Sequence, residues 1–212
     1  MAKRSIFYSD PRIYKLGLLL IHGKNLSTRY EYISSQISEN ACVLEPGCGP
    51  ALLKGYLDKS CHYKGFDLNS DFVWHCNQNS LDVYLADALD KRNYFPSDVV
   101  VLCDFVHHIG HSKEKLLIQN SLSAARHMLI ICDPFKDTLL KNFPAWVPGL
   151  HFLVHKWYNH IEQDGCNSPK LQETRWKRDL EEVMMDGFDV VPRTAKRNIK
   201  EIGEDLIVTY SL

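Results

Sequence analysis

The sequence predicts an α/β domain in which helices cover both faces of a mostly parallel β-sheet. From residue 41 onward, short apolar runs alternate with longer amphipathic segments, as they do in repeated strand–helix–strand units. The runs Val99–Cys103 and Met128–Cys132 are apolar at every position, which is typical of strands buried on both faces. Each candidate strand in this part of the chain ends at, or just before, an acidic residue. The sheet is therefore expected to carry several carboxylates along one edge.

The strands and helices can be assigned in order along the chain. The candidate strands are Ala41–Glu45, His62–Asp67, Val83–Ala86, Asp98–Asp104 and Met128–Asp133. Helical patterns are found between them, among others at Ala51–Asp58 and Lys113–Arg126. The end of the chain differs, because two strand-like runs are joined by a basic, polar stretch with Gly203, which predicts an antiparallel hairpin. These two runs are Phe188–Thr194 and Leu206–Leu212.

A chain of 212 residues is expected to form one domain, here divided into four segments. Residues 1–40 are helical in pattern and aromatic, and they are interpreted as a lid segment. Residues 41–133 form the sheet core. Residues 134–186 are longer than a usual connection and rich in aromatic residues, so they predict a helical cap over a ligand pocket. Residues 187–212 form the terminal hairpin.

Composition excludes some classes of protein. Lys and Arg number 25 against 26 Asp and Glu, and the net charge of −1 disfavours a dedicated nucleic-acid binder, so DNA is not expected as a partner. The seven cysteines are an odd number without a CxxC pair, which favours a reducing compartment. No apolar stretch approaches the roughly 18–20 residues that span a bilayer. We therefore expect a cytoplasmic protein without a transmembrane segment.

The strongest local motif is the stretch Val43–Ala51, where a strand ends at Glu45 and a glycine-containing turn follows. Gly47 and Gly49 allow positive φ and the close approach of a ligand to the backbone. The dinucleotide fingerprint G-x-G-x-x-G fails here, because Leu52 stands where its third glycine would be. The acidic Glu45 instead suits a cationic group, such as the ammonium of an amino acid.

Carboxylates also follow the next three strands. Asp67, Asp87 and Asp104 lie at or just after the ends of the second, third and fourth strands. In open α/β sheets, ligands bind at the carboxyl ends of the strands, so these side chains are expected to share one crevice with Glu45. Asp67 can accept both hydroxyls of a ribose, and Asp87 can accept the exocyclic amine of a purine. Helix capping and solvated loop positions are the structural alternatives.

Together these motifs resemble those of class I methyltransferases, which depend on S-adenosylmethionine. The resemblance covers roughly residues 40–133 and extends to the terminal hairpin. It implies a Rossmann-like, seven-stranded sheet whose last strand is antiparallel. It also implies that S-adenosylmethionine is the cofactor and that its methionine, ribose, adenine and sulfonium lie against a defined set of residues. The methionine part would contact Glu45, Gly47, Cys48 and Gly49. The ribose would lie against Asp67 and Leu68, the adenine against Asp87 and Ala88, and the sulfonium against Asp104 and Phe105. One departure is Ala51, where many members have a third glycine.

The candidate catalytic residues follow the fourth strand, beside the expected position of the methyl group. They are Asp104, His107 and His108, with His111 close by. A histidine is suited to accept a proton from the acceptor, because it titrates near neutral pH. The alternative is that these side chains cap the next helix or hydrogen-bond within the core. His151 and His155 have the spacing of a helical metal pair but no partner ligand with matching spacing, so no metal site is predicted.

The acceptor is predicted to be a small molecule or a lipid-like compound. Enzymes of this class that methylate nucleic-acid bases carry an Asn/Asp-Pro-Pro-Tyr/Phe motif after the fourth strand, whereas this chain has Asp104, Phe105, Val106 and His107 there. RNA or protein as acceptor, and a non-catalytic binding subunit, remain alternatives. A nicotinamide oxidoreductase is disfavoured by Leu52. The aromatic surface in 143–158 is a candidate for pairing two subunits.

Overall fold

A computed structural model describes residues 5–135, 175 and 177–212. The N-terminal segment starts with a 3-10 turn at Ile6–Tyr8, followed by helices α1 (Pro11–His22) and α2 (Asn25–Ser35). The side chain of Asp10 accepts a hydrogen bond from the Arg12 N–H, and Pro at the first helical position supports the same start. This confirms the helical pattern of residues 1–40 within the described range.

Seven strands form one sheet in the spatial order β3-β2-β1-β4-β5-β7-β6. They are β1 (Cys42–Pro46), β2 (His62–Asp67), β3 (Val83–Leu85), β4 (Ser97–Cys103), β5 (Ala125–Pro134), β6 (Lys196–Ile202) and β7 (Asp205–Ser211). Strands β1 to β5 are parallel, and β7 is antiparallel to both β5 and β6. The predicted sheet, with its last strand antiparallel, is confirmed.

Helices cover both faces of this sheet. Besides α1 and α2, they are α3 (Ser70–Gln78), α4 (His111–Ala124) and α5 (Lys177–Asp186). Successive side chains of a strand point to opposite faces, so Val43 packs into one apolar layer and Leu44 into the other. The first layer contains Ile33 of α2 and the second contains Leu117 of α4. This two-sided burial is why the central strands are apolar at consecutive positions.

Two sequence predictions are wrong in this part of the structure. The predicted helix Ala51–Asp58 is only a 3-10 turn at Leu52–Gly55, and Ala51 before it adopts a left-handed conformation that cannot belong to an α-helix. The predicted strand Phe188–Thr194 begins instead in a 3-10 turn at Gly187–Asp189, where all three residues have positive φ. The true strand β6 starts later, at Lys196, so the hairpin occupies 196–211.

The apolar run Phe188–Val191 has the composition of a strand, but Phe188 and Val191 are buried against the helical layer rather than paired in the sheet. Strand β6 lies at the edge of the sheet, and most of its side chains are exposed or half-buried. Lysines on an edge strand discourage pairing with other chains, which explains its polar sequence. Most of the predicted cap, residues 136–174, lies outside the described residues. No helix in the described part of the chain is long and apolar enough to cross a membrane.

Candidate functional site

A groove opens at the carboxyl ends of the parallel strands. It encloses about 720 Å³, with the open space at its mouth included. Its lining comes from the turns that follow four strands and from the N-terminal segment. Among the lining residues are Tyr8, Tyr14, Gly47, Gly49, Asp67, Leu68, Asn69, Phe72, Asp87, Ala88, Leu89, Asp104, Phe105, His108 and Ile109.

The turn after β1 depends on its glycines. Gly47 has φ of 67° and Gly49 has φ of 53°, in the left-handed region that favours glycine. A Cβ at position 47 would lie 2.4 Å from Cδ2 of Phe105, so no larger residue fits without displacing that ring. The backbone N–H of Gly47 donates to the carbonyl of Phe66 at 2.8 Å, which ties the turn to β2. The turn is thus tied to β2, and both of its glycines line the groove, with the Phe105 ring packed against Gly47.

Asp67, at the end of β2, is fixed by two backbone donors. Its Oδ2 accepts from the Gly49 N–H at 2.8 Å, and its Oδ1 accepts from the Asn69 N–H at 2.7 Å. The side chain of Asn69 in turn donates to the backbone carbonyl of Tyr8 at 2.7 Å. A carboxylate oxygen has a second lone pair, so Asp67 can still accept hydroxyl groups from a ligand in the groove.

The loop after β3 is also held in one conformation. Oδ1 of Asp87 accepts from the Leu89 N–H at 2.8 Å. The carbonyl of Ala88 accepts from the hydroxyl of Tyr94 at 2.9 Å and from the buried amide of Asn120 at 3.2 Å. These bonds present the apolar surface of Ala88 and Leu89 to the groove beside the Asp87 carboxylate. Such a wall is suited to a flat heterocycle with an amine at its edge.

Glu45 and Cys48 lie beneath the groove and do not line it. Both side chains are buried, and the hydroxyl of Tyr63 donates to Oε2 of Glu45 at 2.5 Å. Burial raises the pKa of Glu45 to about 8, and the charges of Asp104 and Asp67 act in the same direction. Burial likewise raises the pKa of the Cys48 thiol well above its usual range. Glu45 is therefore largely protonated at neutral pH in the ligand-free protein.

Asp104 lies at the groove, but its carboxylate is already paired. Nη1 of Arg29 donates to Oδ1 at 2.8 Å and Nη2 donates to Oδ2 at 2.5 Å. Burial raises the pKa of Asp104, but the charge and hydrogen bonds of Arg29, together with the nearby His22 and His107, outweigh burial and hold the pKa below its ordinary value. Arg29 also donates to Oδ2 of Asp205 at 3.1 Å, and its own side chain is fully buried.

Arg29 was not among the predicted site residues. On α2 the buried positions are Leu26, Arg29, Tyr30 and Ile33, which follow the spacing of one helix face. An arginine in the middle of an otherwise apolar face indicates a buried anionic partner, and this signal was available in the sequence. His22, Asp104 and Asp205 have ligand atoms close enough together to hold a metal ion, but the guanidinium of Arg29 already pairs with both carboxylates.

The candidate histidines lie in different environments. His108 lines the groove, and its Nε2 is 3.4 Å from the hydroxyl of Tyr8. His107 is buried behind the groove, where its Nδ1 is 3.0 Å from Oδ1 of Asp133. His111 lies at the start of α4, with its Nε2 3.9 Å from Glu114, and it does not line the groove. Among the predicted catalytic residues, the structure therefore brings Asp104 and His108 to the groove and leaves His107 outside it.

No protein-family model matches the chain, and no curated protein sequence matches it either. Its similarity to known proteins is visible in the fold. An O-methyltransferase family protein from Burkholderia thailandensis aligns at 13% identity and a TM-score of 0.59, over 97% of this chain and 61% of its own. This chain thus spans less than two thirds of the length of that protein.

Two further structures align over most of both chains. A Haloferax volcanii protein in complex with the Trm112 methyltransferase activator aligns at 12% identity and a TM-score of 0.66, over 99% of each chain. Magnesium protoporphyrin IX methyltransferase from Synechocystis, with bound S-adenosylhomocysteine, aligns at 16% identity and a TM-score of 0.56. It is covered over 83% of its length, and this chain over 90%. The chain has the class I methyltransferase fold. Within this methyltransferase fold, the groove lies where the parallel strands end.

Proposed function

We propose that the groove binds S-adenosylmethionine and that the protein transfers its methyl group to a small-molecule or lipid-like acceptor. The observation that carries the proposal is the Asp67 carboxylate, held between the Gly49 and Asn69 amides at the rim of the groove. Together with the backbone of Gly49, which lines the groove and where an added Cβ would make only ordinary contacts, it supplies the two features that an adenosyl amino acid requires. These features are a hydroxyl acceptor and space for close approach.

The other lining residues are consistent with the same ligand. Gly47 and Gly49 would border the methionine part, and Asp67 with Leu68 would hold the ribose. The edge of the adenine would contact Asp87 and the loop at Ala88, which hydrogen bonds hold in place. Phe105 would lie towards the sulfonium. Glu45 would act from below: its carboxyl group can ionise when an ammonium group approaches, since its raised pKa results mainly from burial.

When bound, S-adenosylmethionine supplies an already activated methyl group. The work of the protein is therefore to align the acceptor and to exclude water, and alignment alone contributes several kcal/mol in well-oriented reactions. His108 is the residue we assign to accept a proton from the acceptor, because it lines the groove and lies within reach of the Tyr8 hydroxyl. His107, held by Asp133, would support the turn that carries His108.

Asp104 receives a different role in this proposal. Its two oxygens are engaged by Arg29, so we assign it to the wall of the groove rather than to proton transfer. The N-terminal segment would act as a lid: Tyr8 bonds to Asn69 on one side of the groove through its carbonyl and reaches His108 on the other through its hydroxyl.

A small acceptor is favoured by the balanced charge of the chain, since binding of RNA usually requires a basic excess. A protein or RNA acceptor, and a subunit that works only with a partner, are the alternatives. A subunit that works only with a partner is suggested by the Haloferax volcanii neighbour, which is in complex with an activator. Cytoplasmic localisation remains part of the proposal.

The first experiment is calorimetry with S-adenosylmethionine, S-adenosylhomocysteine and NAD on the purified protein. We expect both adenosyl ligands to bind and NAD not to bind. Absence of binding by either adenosyl ligand would overturn the proposal. Tritium transfer from labelled donor into fractions of a cell extract then distinguishes the acceptors: label in a solvent-extractable pool supports a small or lipid-like acceptor, whereas label in RNA or protein supports an alternative.

A second experiment tests the assigned base. H108Q should lower methyl transfer at saturating donor by about 100-fold or more, in the range of general-base contributions, while S-adenosylhomocysteine affinity changes little. H111Q is the matched control, because His111 starts α4 outside the groove. Equal losses in the two variants would remove His108 from the mechanism.

A further inference from the structure

We propose that Arg29 is a positioning residue of the groove, and that it acts by fixing the corner at Asp104 from which Phe105 and His108 reach the ligand. The consequence for ligand binding rests on the proposed function. The geometric part does not, because it concerns the protein without any ligand.

The first observation is the directness of the contact. Arg29 lies on α2, outside the strand–helix–strand core, yet both of its terminal nitrogens bond to the two oxygens of Asp104. A bidentate arginine–carboxylate pair sets the orientation of both groups, which a single hydrogen bond does not. Arg29 has no exposed surface, so its guanidinium depends on protein partners for its hydrogen bonds.

The second observation is the strained backbone that this pair holds. Asp104 has φ of 53°, a left-handed conformation that is uncommon outside glycine and that aspartate adopts more readily than most residues. Its N–H donates to the carbonyl of Cys132 at 2.9 Å, so the corner is fastened on the backbone side as well. Arg29 fastens the side-chain end.

The third observation concerns the residues just beyond the corner. The ring of Phe105 packs against the backbone of Gly47, and the 3-10 turn Val106–His108 brings His108 to the groove. If Asp104 relaxed to an ordinary conformation, the chain direction would change at this point. Phe105 and His108 would then shift together, because they are one and four residues beyond the corner.

The pair also belongs to a buried charge cluster that joins distant parts of the chain. Arg29 bridges to Asp205 at the start of β7, and Nδ1 of His22 on α1 lies 3.4 Å from Asp205 and 3.3 Å from Glu204. Removing the charge of Arg29 would leave the Asp104 and Asp205 carboxylates buried without their shared cation. Such a loss is strongly destabilising, so the test uses substitutions that limit it.

The test therefore uses R29K, D104N and the double variant R29K/D104N. R29K keeps a positive charge but cannot form the two parallel hydrogen bonds. The matched control is R175K, because Arg175 makes the same bidentate contact with the buried Glu114 at 2.5 and 2.7 Å. Neither of these residues lines the groove.

Hydrogen–deuterium exchange, measured without added ligand, shows directly how firmly the backbone around Asp104 is held. We expect R29K to increase exchange of backbone amides 104–109 by about tenfold relative to wild type, while R175K leaves them unchanged. A denaturant titration of each variant shows how much global stability was lost. Unchanged exchange at 104–109 in R29K, or an equal increase in R175K, would overturn the positioning role whether or not any ligand binds.

A titration with S-adenosylhomocysteine measures the consequence for ligand binding. We expect R29K and D104N each to weaken binding about tenfold, and the double variant to be little weaker than either, because residues that act through one contact are not additive. Full additivity, or an equal loss in R175K, would mean that Arg29 contributes to stability only. If wild type itself fails to bind, the proposed function is overturned, whereas the exchange result still decides the role of Arg29.

Discussion

The backbone N–H of Gly49 donates to Oδ2 of Asp67 at 2.8 Å, and this bond joins the turn after β1 to the end of β2. Gly49 and Asp67 are neighbours only because β1 and β2 are paired in parallel, with Pro46 opposite Phe66 at their carboxyl ends. The same carboxylate thus shapes the glycine turn and faces the groove. This double role makes Asp67 the most informative position to change.

We expect D67N to weaken S-adenosylhomocysteine binding by roughly tenfold to a hundredfold. Hydrogen bonds to a charged group contribute about 1.5–3 kcal/mol, and asparagine has no charge and only one acceptor oxygen, whereas Asp67 uses two oxygens to accept from the Gly49 and Asn69 amides. Calorimetry measures the change. The control is D90N. Asp90 lies after β3, pairs locally with Arg92 and does not line the groove. Similar affinity in D67N and wild type would exclude Asp67 from the binding site.

Strand ends were the predictable part of this site. Parallel strands buried on both faces are apolar throughout, so the first polar residue after each run marks the edge of the sheet. Asp67, Asp87 and Asp104 were found in this way, and all three line the groove. The glycine turn was predictable because two glycines directly after a strand indicate a turn with positive φ, which both Gly47 and Gly49 adopt.

Contacts between distant segments were not predictable in the same way. Arg29 and Asp104 are 75 residues apart, and no local pattern says that α2 packs beneath the end of β4. The depth of Glu45 was missed for a similar reason, because a carboxylate at a strand end can face the groove or the core. Glu45 faces the core, where the hydroxyl of Tyr63 on the neighbouring strand β2 donates a hydrogen bond to its carboxyl group.

The terminal hairpin shows how local apolarity can mislead. Phe188 and Val191 are as apolar as a strand, but Gly187, Phe188 and Asp189 turn through positive φ and direct them to the helical layer. Strand β6 instead consists of Lys196–Ile202 at the end of the strand order, and its side chains alternate between exposed and half-buried from Lys196 to Lys200. Position in the sheet, rather than composition, determines this strand.

Replacing Gly47 should affect both folding and binding. G47A places a methyl group 2.4 Å from the Phe105 ring at a residue with φ of 67°, so we expect a loss of about 2–4 kcal/mol in the free energy of unfolding. G23A is the control for a positive φ without a new steric contact, because Gly23 has φ of 53° and, apart from its chain neighbours, no atom within 4 Å of an added Cβ. Urea denaturation compares the two.

The double variant G47A/F105L then separates the steric contribution. Leucine leaves room for the added methyl group, so part of the stability lost in G47A should return, while G23A/F105L shows only the sum of its single effects. Equal destabilisation by G47A and G23A would mean that the contact with Phe105 has little energetic weight.

His22 makes the stability of the protein depend on pH. Burial lowers its pKa, but Asp205 and Glu204 outweigh burial and raise the pKa to about 9. In the unfolded chain histidine titrates near pH 6.5, so the contribution of His22 is complete below that pH and is lost as the pH rises through 9. Wild type should therefore lose roughly 3 kcal/mol of unfolding free energy from this group over the interval.

Urea denaturation at several pH values compares wild type with H22Q. The glutamine variant should be less stable near pH 6 and should show a flatter decline between about pH 6.5 and 9. H127Q is the control, because the side chain of His127 is 74% exposed and lies outside the buried cluster. An unchanged slope in H22Q would mean that the His22 charge is not held by the cluster.

Glu45 should release a proton when an adenosyl amino acid binds. Burial raises its pKa to about 8, so at pH 7 the free protein carries this carboxyl group mostly protonated. An ammonium group arriving above it favours the ionised form, and the proton is released to the buffer.

Calorimetry of S-adenosylhomocysteine binding at pH 7 in phosphate and in Tris gives the number of protons released, because the apparent enthalpies in the two buffers differ in proportion to that number. E45Q should remove the release, whereas Y63F should keep it, because loss of the Tyr63 hydrogen bond raises the pKa of Glu45 further. Equal proton release by wild type and E45Q would assign the proton to another group and leave Glu45 without contact to the ligand.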